Sequence, residues 1–355
     1  MLEVLGKKNI LGVDIGTVSI KVAELQSAGE GNFLLTNYGI AESTEYLDRS
    51  NSVIQSSSFK IDESSAVDML SFLIKKGDFK TKDCCAAVPG FTSFTSLLEL
   101  PVMSDAELAQ AIPFQARSLV PLPISDVTID WMPIGTFEDE KGNKKQQIFM
   151  VSVPNETIHT YHSIFKKSGL NLKMLEIEGM SLARALSNKG DGNILVIDIG
   201  ALSTLITVVS NGSLKYSTQT DFAGSSLTQA LIKGLGISSK RAEILKKQRG
   251  LSGMTGEYGL STLMQPFLDV IINEARRVGD IFEKKYNQKI EKVLLTGGGA
   301  DLVGIDVYIA KALSLKTEKG NGMEKIKFPA IVAPIASWIG TRFAVALGAG
   351  LKIFY

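Results

Sequence analysis

Ile10-Leu11-Gly12-Val13-Asp14-Ile15-Gly16-Thr17-Val18-Ser19-Ile20-Lys21 recurs without a gap, half a chain later, as Ile194-Leu195-Val196-Ile197-Asp198-Ile199-Gly200-Ala201-Leu202-Ser203-Thr204-Leu205. In each copy an apolar run too short for a helix leads into Asp-Ile-Gly, and a second β-rich run follows, Ile20 to Leu25 and Leu205 to Val209. The pattern predicts two strands around a tight turn in which glycine lets backbone come close to another group. A single Asp-Ile-Gly is most often an ordinary hairpin turn with an Asx hydrogen bond. Its recurrence between the same kinds of strand, once per half-chain, points instead to two related domains.

The flanking segments fit an α/β reading. Ala66, Met69, Leu70, Leu73 and Ile74 predict a helix over Ser64 to Lys76, and Cys84 to Val88 reads as a strand stopped by Pro89-Gly90. Glu107 to Leu119 is helical in pattern, interrupted by Pro113 and ended by Val120-Pro121-Leu122-Pro123. Strands over Val127 to Trp131 and Gln147 to Val153 flank the polar hairpin Glu138 to Asn143. A helix over Thr157 to Lys167 stops at Ser168-Gly169. Residues 84–155 are therefore expected to form a small α+β insertion between the two parts of a first lobe, 1–83 and 156–190. A second lobe covers 191–330, with helices over Leu227 to Leu235, Ser238 to Arg249 and Leu263 to Tyr286, the last two making a helical part at about 236–289. A strand from Lys292 to Thr296 then enters Gly297-Gly298-Gly299. A helix over Ser337 to Leu351, rich in Gly and Ala, closes the chain within 331–355 as part of the first lobe. No low-complexity stretch or long linker appears apart from the polar tract Ser50 to Ser58.

Composition narrows the function classes. Of 355 residues, 45% are hydrophobic and 21% charged, which excludes a disordered polyampholyte. Lys plus Arg number 38 against 37 Asp plus Glu, so no basic excess marks a dedicated nucleic-acid surface. Cys84 and Cys85 are adjacent, unsuited to a disulfide framework or a metal set, and read as reduced, half-buried small apolar residues. Met1 to Lys8 lacks the apolar centre of a signal peptide. No run reaches the ~18 consecutive apolar residues of a spanning helix; the best stretch, from Phe328, is interrupted by Pro329, Pro334, Arg342 and Lys352. A soluble chain is expected.

The paired turns carry the chemistry. A polyphosphate needs backbone N–H donors at close range, which glycine permits, and hydroxyls such as Thr17, Ser19, Ser203 and Thr204. Its Mg²⁺ dehydrates reluctantly and is held by carboxylates through water, a task suited to Asp14 and Asp198. Gly16 and Gly200 follow those aspartates closely. Gly297, Gly298 and Gly299, after an apolar strand, leave a flat ledge on which a purine and ribose can lie. No G-x-x-x-x-G-K-[ST] or G-x-G-x-x-G is present.

The order of Asp-Ile-Gly, a second Asp-Ile-Gly, then Thr296-Gly297-Gly298-Gly299 resembles the actin-like ATPase superfamily of actin, sugar kinases and FtsA. The resemblance implies a two-lobed α/β fold, a duplicated ribonuclease H-like domain with a small FtsA-type α+β insertion, and Mg-ATP between the lobes. It places Lys21 where actin has its phosphate-contacting lysine and adds Gly224 to the cofactor-binding residues. Ala242-Glu243-Ile244-Leu245-Lys246 is similar to an FtsA-type segment, implying that Glu243, Lys246 and Lys247 lie by the ribose and base. Glu178 falls near the superfamily's water-positioning acid, although Glu176 to Gly179 also reads as a solvated helix start. More narrowly, Ala111 to Ala116 with Val120-Pro121-Leu122-Pro123 and Val127 to Asp130, and Arg342 to Gly348, resemble the PilM family of type IV pilus assembly proteins. That implies a cytoplasmic scaffold, peripheral at the inner membrane, that binds the N-terminal tail of PilN beside the insertion. Other pilus assembly proteins and self-association are further partners that it allows.

Ala201 and Leu202 depart from the superfamily, where further glycine is usual, and imply a looser phosphate grip and slow hydrolysis at most. FtsA's trailing linker and amphipathic membrane helix have no counterpart before Tyr355. A polymer of the FtsA or MreB kind, or a sugar-kinase-type phosphotransferase, are the alternative functions. His159 and His162 lack further ligands and read as a solvated face, and Trp131 and Trp338 as core or groove-wall aromatics. Phe91, Phe94, Leu97, Leu98, Leu100 and Pro101 suit either the insertion's own core or a groove for a short hydrophobic peptide.

Overall fold

A computed structural model describes residues 8–27, 29, 31–43, 62–138, 141–251 and 258–354. The tract Ser50 to Ser58, most of the N-terminal octapeptide and the tip of the 138–143 hairpin lie outside the described residues.

The first lobe starts with β1 (Asn9–Ile15), β2 (Ser19–Ser27) and β3 (Phe33–Glu42), then α1 (Glu63–Gly77) and β4 (Asp83–Val88). The insertion holds β5 (Phe94–Pro101), α2 (Asp105–Ala116), β6 (Val127–Glu138) and β7 (Lys144–Pro154). The first lobe resumes with α3 (Asn155–Lys167), β8 (Asn171–Ile177) and α4 (Glu178–Leu186). The second lobe comprises β9 (Asn193–Ile199), β10 (Thr204–Ser210), β11 (Ser213–Thr220), α5 (Gly224–Leu235), α6 (Ser239–Arg249), α7 (Tyr258–Tyr286), β12 (Lys292–Thr296), α8 (Ile305–Leu313) and β13 (Lys316–Lys319). The chain returns through β14 (Ile326–Lys327), α9 (Ala336–Arg342) and α10 (Ala344–Leu351).

The repeat read from the sequence is a repeat of sheets. In the first, ordered β14-β3-β2-β1-β4-β8, β1 runs antiparallel to β2 and parallel to β4. In the second, ordered β11-β10-β9-β12-β13, β9 runs antiparallel to β10 and parallel to β12. Strands covered on both faces are apolar at successive positions, which is why β1 reads as a continuous hydrophobic run. Leu11 and Val13 pack with Leu70 of α1 and Phe165 of α3, while Ile10 packs with Phe343 and Leu347 on the opposite face. The first of these cores continues through Leu182 and Ala183 of α4 to Val196 and Val209 of the second sheet, so apolar packing joins the lobes. Another, built on Ile197, Ile206, Leu231, Ile271 and Phe282, fills the second sheet's far face.

Four boundaries differ from expectation. Cys84 to Val88 belongs to the first sheet, paired with β1, so the insertion begins after Val88 rather than at 84. Ile326–Lys327 pairs with β3, so the return to the first lobe begins before 331. Cys84 and Cys85 are fully buried, one in each of two cores on opposite faces of the sheet. The closing segment is two helices bent by 86°, because Phe343, at φ −101° and ψ 11°, leaves helical geometry and buries its ring beside Tyr38 and Trp338. The insertion's own core takes Leu98, Leu100, Leu108, Ile112 and Ile148, which settles the apolar run at its start as core for Leu98 and Leu100. Its helix α2 begins with a Ser104–Glu107 capping box and ends at Ala116, earlier than the apolar pattern suggested. No single helix among the described residues is long and apolar enough to cross a membrane.

Candidate functional site

Both Asp-Ile-Gly turns close in the same way. The Gly16 N–H donates to the Ser19 carbonyl and the Gly200 N–H to the Ser203 carbonyl, each at 2.9 Å. Each aspartate is the last strand residue but one, and the two turns face one cleft of about 350 Å³ between the lobes.

Within it lie Asp14, Gly16, Thr17, Ser19 and Lys21 from the first turn, and Asp198, Gly200 and Ser203 from the second. Gly224, Glu243, Lys246 and Lys247 form another wall, with Gly297, Gly298 and Gly299 beside them and Glu178 at the start of α4. One expected residue is elsewhere. The Thr204 hydroxyl donates to the Phe222 carbonyl at 2.7 Å and is wholly buried, because β10 turns it away from the side that Ser203 presents.

Charge is concentrated on the cleft floor. Lys21 Nζ donates to Asp14 Oδ2 at 2.8 Å, and Asp198 Oδ1 accepts from Thr296 Oγ1 at 2.8 Å. Burial opposes the Lys21 charge, but Asp14 outweighs it and holds the ammonium above its ordinary range. Burial pushes the Asp198 carboxyl up. Glu178 is raised well above the usual carboxylate range by lost hydration and by the charges of Asp14 and Asp198. A floor that sets three carboxylates around one lysine, with burial opposing the charge of both Asp198 and Glu178, is suited to a cation. Among the described residues no three Asp, Glu, His or Cys side chains converge tightly enough to ligate one directly. The donor set is carboxylate oxygen, the chemistry that suits a hard cation such as Mg²⁺.

The glycine ledge has divided tasks. Gly297, at φ +78°, takes a backbone conformation that side chains disfavour, and a Cβ there would stand 2.8 Å from Asp198 Oδ1. Gly299 packs on the Ile199 side chain, whereas a Cβ on Gly298 would meet nothing within 4 Å. Gly298 is thus the open part of the ledge. Across from it, Lys246 Nζ donates to the Gly224 carbonyl at 2.9 Å, Thr228 Oγ1 at 2.8 Å and Glu243 Oε2 at 2.7 Å. Its three donors are satisfied, so this pair braces α5 against α6, while Lys247 stays 61% exposed at the rim.

Three charged residues of the cleft escaped sequence reading. Arg342 Nε donates to Asp301 Oδ2 at 2.7 Å, its guanidinium lies 3.6 Å from Glu42, and Trp338 stacks beneath it at 5.3 Å. Asp301, close behind the glycines, was within reach of a sequence argument; Glu42 and Arg342 meet only through the fold. His159 and His162 are exposed, as expected.

Two sheets of repeated topology around a cleft define the protein as a two-lobed actin-like ATPase fold with a small inserted subdomain. A family model described as type IV pilus assembly protein PilM matches residues 12–354, and the chain belongs to that family. A solved PilM-PilN type IV pilus biogenesis complex aligns with a TM-score of 0.81 at 20% identity, covering 98% of both chains. EutJ from Carboxydothermus hydrogenoformans aligns at 0.56 and 16% identity, covering 98% of this chain and 90% of that one. MreB5 of Spiroplasma citri bound to AMPPNP aligns at 0.52 and 15%, covering 98% and 96%. Among curated proteins, FtsA of Enterococcus faecalis is 22% identical in an alignment 333 positions long that covers 83% of this chain and 74% of the relative.

Proposed function

We propose that this chain is an ATP-binding scaffold of the type IV pilus inner-membrane assembly platform, working at the cytoplasmic face. The observation that carries the nucleotide part is the meeting of two equivalent turns, with Asp14, Asp198 and Lys21, in one cleft. Backbone N–H groups and hydroxyls of Thr17, Ser19 and Ser203 would hold the phosphates, and Gly298 the nucleoside. A hydrated Mg²⁺, when bound, neutralises phosphate charge near Asp14 and Asp198. An AMPPNP-bound relative by fold supports the same class of ligand. Glu178 is the acid best placed to orient water, and Ala201 on the cleft wall keeps any hydrolysis slow.

The partner is the N-terminal cytoplasmic tail of PilN, a reading supported by family membership and by the solved complex of a PilM with PilN. Nucleotide would act by shifting the population of closed and open lobes, which differ in partner affinity. Attachment to the inner membrane then comes through that partner. A pull-down with the PilN tail peptide, with and without Mg-ATP, tests this: capture that changes with nucleotide supports it, and no capture in either condition refutes it. Nucleotide-dependent pelleting would favour the polymer alternative instead.

A further inference from the structure

The strand β4 leaves the first sheet through a single 3-10 turn, Gly90–Thr92, and enters the insertion at β5. This turn is stiff: Thr92 N–H donates to the Pro89 carbonyl at 3.0 Å, Ser93 N–H to the Gly90 carbonyl at 3.1 Å, and the Thr92 hydroxyl to Pro89 at 2.7 Å. Its first amide, Gly90 N–H, donates to Glu178 Oε2 at 3.1 Å. On its other side the second lobe presses against it. A Cβ on Gly90 would lie 2.8 Å from Gln219 Oε1 and 2.9 Å from Leu205 Cδ1, on β11 and β10. First lobe, second lobe and insertion therefore touch at one residue.

The same turn is a partition between two cavities. Pro89, Phe91 and Glu178 face the cleft between the Asp-Ile-Gly turns. Gly90, Ser93, Ile177 and Gly179 face a second cavity of about 350 Å³, and Leu205 lines both. That second cavity runs between β5, an edge of the insertion's sheet, and β11, an edge of the second lobe's sheet. Thr95 Oγ1 reaches across to the Ser217 carbonyl at 3.5 Å, so the two edges are already in touch beside it. Any displacement of β10 and β11 relative to α4 carries the side chains of Leu205 and Gln219 that pack over Gly90.

We propose that the Gly90 turn is the joint that couples occupancy of the interlobe cleft to the insertion and its neighbouring cavity, with Glu178 as the positioning residue that holds the joint. This rests on the cleft taking Mg-nucleotide, as proposed above. Glu178 has one oxygen committed to Gly90 and stands beside Asp14 and Asp198, where a bound cation and phosphates arrive. A shift of its carboxylate, or of the second lobe, moves the root of β5. Such coupling needs an element with two arrangements biased from both sides, and the turn is that element.

Hydrogen exchange on the whole chain tests the joint, using Mg-ATPγS at concentrations shown by calorimetry to saturate each variant. Without nucleotide, Glu178→Ala should speed exchange in the segment Gly90 to Ser93 by about tenfold, the worth of one buried hydrogen bond. Glu178→Gln keeps a side-chain oxygen for the Gly90 amide and should leave that segment near wild type. With nucleotide, wild type should change exchange across β5, and both Glu178→Ala and Gly90→Ala, whose methyl group wedges against Leu205, should lose that change. Unaltered Gly90–Ser93 exchange in ligand-free Glu178→Ala overturns the joint, as does a full β5 response in either alanine variant. Wild type that binds no nucleotide defeats the reading of the cleft, while the ligand-free arm still decides the role of Glu178.

Discussion

Asp14 and Lys21 are direct cross-strand partners in the β1–β2 hairpin, their side chains joined at 2.8 Å, whereas the same position opposite Asp198 is Leu205. The duplicated hairpins are thus unlike in charge. The first carboxylate is neutralised across its own hairpin, and the second is held by the Thr296 hydroxyl from the neighbouring parallel strand. The floor of the cleft keeps Lys21 among Asp14, Asp198 and Glu178.

Lys21→Met should therefore damage both fold and binding. Removing one partner of a buried pair leaves an uncompensated charge, at a cost of roughly 3–5 kcal/mol where burial is complete. With Lys21 13% exposed, a loss of about 2 kcal/mol or more in urea denaturation is expected. Nucleotide affinity by calorimetry should fall at least tenfold in the folded fraction, equivalent to about 1.4 kcal/mol.

The pH dependence of stability should carry the mark of Glu178. Its folded carboxyl titrates well above the ordinary glutamate range, so between that range and the raised one the native state holds a proton the unfolded chain has released. The resulting contribution to stability is complete below the unfolded value and is lost as pH rises through the folded one. Glu178→Gln removes the titration and still accepts from Gly90. It should gain stability over wild type at pH 8 in ligand-free denaturation, with the gain vanishing near pH 4. A constant difference across that range would contradict the assignment.

Arg342 and Asp301 join the return segment of the first lobe to the second lobe at the mouth of the cleft, with side chains 18% and 27% exposed. Partial exposure limits such a pair to about 1 kcal/mol. A double-mutant cycle with Arg342→Ala and Asp301→Ala should give a coupling of that order, smaller at high salt. Coupling indistinguishable from zero would leave the contact without energetic weight.

The helices that link the lobes cross where Gly348 of α10 meets α4, and a Cβ there would overlap the Ser181 carbonyl. Gly348→Ala cannot be absorbed by a flexible side chain, because the obstacle is backbone. Overpacking of this kind costs about 1–3 kcal/mol. The thermal midpoint of the variant should fall accordingly, whereas alanine at Gly298, which has open space around it, should leave the unfolding free energy within about 0.5 kcal/mol of wild type.

Much of this was legible in the residues because short-range rules wrote it. Asp-Ile-Gly fixed its turn twice over, and the strand before Gly297 and the helix that ends at Arg249 lie where local chemistry put them. The errors came where partners are distant. Cys84 to Val88 is a strand in isolation, but only pairing with β1 decides which sheet it joins. Small residues from Ser337 to Leu351 read as one helix, and the bend at Phe343 follows from the ring's burial against Tyr38, hundreds of residues away. Thr204 shows the limit of a motif: one position past Ser203, the alternation of the strand sends its hydroxyl to Phe222 instead of the cleft. Glu42 carries no local pattern, and the resemblance of Arg342 to Gly348 says nothing of what the Arg342 side chain meets, so no reading of either segment could have brought them together.

The central claim is that the two equivalent turns jointly hold a magnesium nucleotide. Titration calorimetry of ATP into the wild-type chain and into Asp14→Ala and Asp198→Ala, with Mg²⁺ and with EDTA, tests it most directly. The expected result is one equivalent bound by wild type with Mg²⁺, weakened by EDTA, and no detectable binding by either folded variant. Equal affinity in all three proteins, or no binding by wild type at millimolar Mg-ATP, would contradict it.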